Sequence, residues 1–183
     1  MFFGKFLSLV FLLVGSLSAQ AGEITGSRQI SLEGPGGEVL TIGTIELVAA
    51  ATGTDFKLEM DDTKFSDQFL SMRPFKCIDG DTMVCRLEYP YTKGNTYRPE
   101  APYDLEYEFL FIVRSPTEYG IDPYNGRYFR ISREGDELVG KVYAVDLNLL
   151  AVPPEDGVLY PLTEDLLDEL EPESERFSIL RIH

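Results

Sequence analysis

Residues 104–114 read DLEYEFLFIVR and form the most strand-like stretch of the chain. Leu105, Tyr107, Phe109, Phe111 and Val113 recur at every second position, the period of a strand with one buried face. From Phe109 onward the intervening Leu110 and Ile112 are apolar too, so that half is expected to be covered on both faces. Asp104, Glu106 and Glu108 take the alternate positions at the start, where neighbouring carboxylates would lie about 7 Å apart on one strand face.

The same period recurs on both sides. Residues 27–32, 38–48 and 55–60 alternate in this way, with the turn Gly34-Pro35-Gly36-Gly37 between the first two. In residues 61–71, Phe65 and Phe69 stand four apart, the spacing of a short helical turn. Residues 72–78 and 82–89 read as one hairpin. Residues 127–133 and 137–146 read as another, closed by Glu134-Gly135-Asp136, and 177–182 as a last strand. Only 164–170 reads as a helix, with Thr163 as its N-cap, Glu164 and Asp165 in its first turn, and Pro172 beyond it. No long crossover helix separates the strands, which argues against a parallel sheet. The expectation is an all-β domain over residues 22–183: an antiparallel eight- or nine-stranded barrel or two-sheet sandwich with one short C-terminal helix.

Residues 1–21 read as a secretory signal peptide. Lys5 supplies the positive start, 6–14 an apolar run, and Ala19-Gln20-Ala21 a small-x-small cleavage site before Gly22. The apolar run is about half of what a membrane-spanning helix needs. No Cys follows the cleavage site, so a lipoprotein anchor is not expected. Export fits the two cysteines, Cys77 and Cys85, which flank an Asp79-Gly80 turn and are expected to form a disulfide across the hairpin. Three asparagines without a glycosylation sequon, and one disulfide, lean toward a bacterial periplasm.

With 31 acidic against 16 basic side chains, the net charge is −15. A phosphate backbone or an anionic membrane surface would be repelled, so neither nucleic acid nor membrane is an expected partner. The only histidine, His183, ends the sequence given and is a poor base or ligand for a nucleophilic triad or a transition metal. No Gly-rich phosphate motif precedes a helix, and Asp79-Gly80-Asp81 and 122–126 miss the calcium-loop spacing. No cofactor or metal is therefore expected.

Two features point toward function. Eight of the ten tyrosines (89, 91, 97, 103, 107, 119, 124 and 128) fall within forty residues of one another. A tyrosine offers a flat apolar face and a hydroxyl, useful at wet binding surfaces. In the 89–103 loop they are interleaved with Lys93 and Arg98, and Tyr91, Tyr97 and Arg98 are the ligand contacts expected there. The second feature is the acid row of Asp104, Glu106 and Glu108, whose spacing resembles that of paired glycosidase carboxylates. Residues 155–175 add nine acids with no Lys or Arg, read as a solvated surface. The reading is a non-catalytic envelope protein binding a small apolar molecule, a glycan or another protein. The alternative is a carboxylate-dependent enzyme acting on envelope glycans. Lipocalins and streptavidin are similar in architecture and hold one ligand inside a small barrel, but this chain has no Trp for the lipocalin Gly-x-Trp signature.

Overall fold

The computed structural model describes residues 23–71 and 74–183, so the signal-peptide reading lies outside the described residues. Its strands are β1 (Gly26–Glu33), β2 (Val39–Ala50), β3 (Gly53–Met60), β4 (Ser66–Phe69), β5 (Pro74–Ile78) and β6 (Met83–Leu87). They continue as β7 (Thr96–Tyr97), β8 (Leu110–Arg114), β9 (Gly126–Glu134), β10 (Glu137–Val145), β11 (Asp168–Glu169) and β12 (Ile179–Ile182). All nine expected strands are present in whole or part; the additions are the short β4, β7 and β11. The fold is all-β and antiparallel, as read from the alternation.

The strands follow one another in the order β4-β5-β6-β8-β9-β10-β12-β1-β2-β3-β7, and β11 adds to β10 off this path. The sheet is not closed, yet it curls round one interior. Ile42 and Phe56 near one edge share a buried cluster with Ile78 and Val84 near the other, around Leu32, Phe111, Leu138 and Leu180. Arg176 ties the same distant strands at the surface. Its Nη1 donates to the carbonyls of Ile78, Asp79 and Thr82 at 3.3, 2.9 and 3.0 Å, and its Nη2 to Glu38 at 2.8 Å. The β1–β2 and β5–β6 turns are thereby clasped together. Gly80 is needed here, since a Cβ would stand 2.6 Å from that guanidinium.

Cys77 and Cys85 face each other in the β5–β6 register and are disulfide-bonded, as the hairpin reading expected.

Three local readings are corrected. Residues 104–106, expected as the start of the long strand, belong to the helical turn α1 (Tyr103–Glu106), and β8 starts only at Leu110. Leu105 and Phe109 lie four apart, so a helical turn buries both in the interior as well as alternation would, and it also buries Asp104 and Glu106 where donors meet them. The expected C-terminal helix is a 3-10 turn, Glu164–Leu166, followed by β11. Glu164 with Asp168, and Asp165 with Glu169, would set like charges four apart, and seven residues are too few to offset helix nucleation. Residues 61–71 make a 3-10 turn, Asp62–Lys64, and then β4, which leaves Phe65 half-buried and Phe69 exposed.

Candidate functional site

A cleft opens where the sheet loses a neighbour. β8 pairs with β9 only at Phe111–Arg127 and Ile112–Gly126; beyond Arg127 that edge of β9 has no partner strand among the described residues. The turn α1 lies against it instead, and Glu106 does part of the work of the missing strand. Its carboxylate accepts the backbone N–H of Ile131 at 2.7 Å and the hydroxyl of Tyr128. Glu106 is 3% exposed. Burial raises its pKa above the ordinary value, against the opposing pull of the Tyr128 and Ile131 hydrogen bonds. Burial and the Glu106 charge likewise hold the Tyr128 phenol far up and protonated.

The three acids expected along one strand face diverge and are each bonded to donors. Asp104 accepts the Thr96 N–H at 3.0 Å and the Tyr160 hydroxyl, which pins the 94–97 loop and a distant tail residue to α1. Burial and this bond push the Tyr160 phenol up to about 12. Gly94 passes so close that a Cβ there would collide with the Asp104 carboxylate. Glu108 pairs with Lys93 and, at 3.4 Å, with Arg86.

Between α1 and the outer face of β9 and β10 the cleft has a volume of about 480 Å³. Tyr103 and Tyr143 line it with Arg130, Arg133, Lys141 and Glu164. Tyr103 stacks on Tyr160, ring centres 5.8 Å apart, and the Arg130 guanidinium lies over the Tyr143 ring at 5.7 Å. Arg130 also donates to Glu164 at 2.7 Å. The cleft therefore offers aromatic faces, cations and an exposed carboxylate together, a set suited to a polar ligand with a flat apolar side.

The expected contacts Tyr91, Tyr97 and Arg98 do not come together. Tyr97 is 3% exposed, part of the interior cluster, and its hydroxyl has no hydrogen-bond partner among the described residues. Tyr91 is half-buried and packs edge-on against Tyr89 at 5.4 Å. Arg98 donates to the Thr52 carbonyl at 3.1 Å and anchors the β2–β3 turn. Three of the clustered tyrosines build a second buried layer outside the sheet, where Tyr89, Tyr107 and Tyr128 pack with Leu110, Ile112 and Val145.

Tyr143, Arg130, Lys141 and Glu164 carry the cleft; the first three were not singled out from the sequence, and Glu164 only as a first-turn acid of the expected helix. A signal for two of them was present. A hairpin closed at Gly135 with Glu134 opposite Glu137 places Arg130 opposite Lys141, which is the register found. In a chain this acidic, two facing cations on one exposed sheet face stand out. Among the described residues, no helix is long and apolar enough to cross a membrane. The fold and cleft define a curled, open antiparallel sheet with a polar cleft on its outer face. No family model, curated protein or solved structure matches the chain.

Proposed function

We propose that this chain is an exported, non-catalytic envelope protein that binds a glycan in the cleft between Tyr103 and Tyr143. The observation that carries this reading is the pairing of two tyrosine rings with Arg130, Arg133 and Lys141 in one open cleft. Sugar rings present a C–H face to an aromatic ring and hydroxyls to charged side chains, and this lining offers both. The interior favours it over an enclosed apolar ligand. Leu32, Phe109, Phe111, Leu138 and Leu180 have no exposed surface and fill the space a lipocalin-like ligand would need. Export is supported by the leader-like residues 1–21 and the Cys77–Cys85 disulfide, which belongs to an oxidising compartment.

Replacing Tyr143 or Tyr103 by Ala should weaken binding to a glycan array by roughly tenfold, the upper worth of an aromatic face. Undiminished binding by both variants sinks the site.

Glu106 favours a second reading. A carboxyl at the cleft whose pKa is raised by burial has the character of a general acid. Both of its oxygens already accept hydrogen bonds from the protein, which commits the group to holding Tyr128 and the edge of β9. Glycan cleavage abolished in Glu106→Gln would favour the enzyme; binding without cleavage in the wild type favours the binding protein.

A further inference from the structure

We infer that the cleft takes an acidic sugar, a uronate-bearing oligosaccharide, and that Glu164 occupies the place of the sugar carboxylate in the free protein. This rests on the glycan reading above and adds the charge of the ligand.

Arg130 and Lys141 are directly opposed across β9 and β10. Like charges so placed destabilise a sheet, and a chain with 31 acids to 16 cations has acids enough to neutralise both. Only one of the two is neutralised. Glu164 sits 2.7 Å from Arg130, while Lys141 has no ion pair among the described residues. Arg130 and Lys141 are both exposed and both line the cleft. The pair thus presents one filled and one vacant cation beside the Tyr143 ring.

Glu164 is an easily displaced occupant. Its side chain is 77% exposed, and the turn that carries it, Glu164–Leu166, buries no residue. Surface pairs of this kind contribute little to stability, so a ligand carboxylate can exchange with it at small cost. The incoming group would meet the Arg130 fork and reach Lys141, which Glu164 leaves unpaired. In a uronate the carboxylate is attached to a sugar ring whose flat side can lie against Tyr103, which is 42% exposed in the same cleft. A neutral sugar would offer the two cations hydroxyls only, with no charge to pair with them.

Calorimetric titration of the purified protein with an oligogalacturonate and with a neutral oligogalactoside of equal length tests this. The acidic sugar should bind more tightly, and rising salt should erase the difference. Lys141→Gln should weaken the acidic sugar by about threefold to fivefold, the scale of an exposed ion pair, and the neutral one by less. Glu164→Gln should tighten the acidic sugar by a similar factor by removing the competitor. Both positions are exposed, so neither substitution threatens the fold, and an unchanged melting temperature verifies that. Equal binding of the two sugars, insensitive to Glu164→Gln, overturns the acidic ligand and leaves the glycan reading standing. Failure of every variant and the wild type to bind either sugar overturns both.

Discussion

The interior of the curled sheet and the tyrosine layer on its outside are both dry, but they are held by different means. The interior is aliphatic side chains and phenylalanine: Ile30, Leu32, Ile42, Phe109, Phe111 and Leu180 are fully enclosed. Its cohesion is the exclusion of water, which has no direction and depends on volume. The outer layer is phenolic, and its hydroxyls are spoken for. Tyr89 donates to the Leu159 carbonyl at 2.7 Å, Tyr107 accepts the Leu162 N–H at 2.7 Å, and Tyr128 donates to Glu106. The first two bonds join residues 70 and 55 apart in the chain and strap the 159–162 segment over the sheet. The interior should therefore respond to lost volume and the outer layer to lost single atoms.

The largest effect is expected inside. Phe111→Ala removes a fully buried ring from the middle of the sheet and should cost about 3–5 kcal/mol in denaturant unfolding. A loss under about 1 kcal/mol would mean the interior collapses freely round the gap, and it would remove the contrast between the layers.

A sharper comparison deletes the same oxygen from each layer. Tyr107→Phe leaves the buried Leu162 N–H without its acceptor and should cost about 1–3 kcal/mol, with faster amide exchange over 159–162. Tyr97→Phe removes a hydroxyl that has no partner and is already desolvated, so it should be neutral or slightly stabilising. Losses of equal size at the two positions would show that both layers hold their hydroxyls alike.

The two layers also differ in how far the sequence announced them. Alternation at Leu40 and Ile42, at Phe56 and Leu58, and through Phe109, Phe111 and Val113 follows from the pleat of a single strand, so the interior could be read locally. The second apolar set at Leu110 and Ile112 even marked β8 as covered on both faces, and the outer layer is what covers it. What lies there could not be read, because Tyr89 and Tyr107 are assigned their roles by partners in the tail and Tyr128 by Glu106. The break at α1 was hidden for a related reason. A strand and a helical turn both bury Leu105 and Phe109, and only the donors waiting at Thr96, Tyr128 and Ile131 distinguish the two for Asp104 and Glu106. The cleft was barely legible. The expected three-residue closure at 134–136 would pair Arg130 with Gly140, whereas the two-residue Gly135-Asp136 turn pairs it with Lys141. No local pattern brings Glu164 from the acidic tail to Arg130.

The smallest expected effect concerns Glu106, where the outer layer meets the interior. Burial disfavours its charge, while Tyr128 and the Ile131 N–H favour it, and burial is the larger influence. With its pKa raised in the folded state, the native protein holds this proton over a pH range in which the unfolded chain has released it. Stability contributed by the group is therefore fully present below the ordinary carboxyl value of 4.5 and is lost as pH rises through the raised native value. Glu106→Gln has no proton to release, and its amide can accept from Ile131 and donate to the Tyr128 oxygen. Unfolding free energies of the two proteins, measured from pH 4 to pH 8, should show the wild type losing ground relative to the variant as pH rises, and then a plateau. A difference that instead grows in favour of the wild type would mean that the two hydrogen bonds outweigh burial. Glu106 would then be an anion that only completes the edge of β9, and the proton a general acid requires would be missing from the cleft.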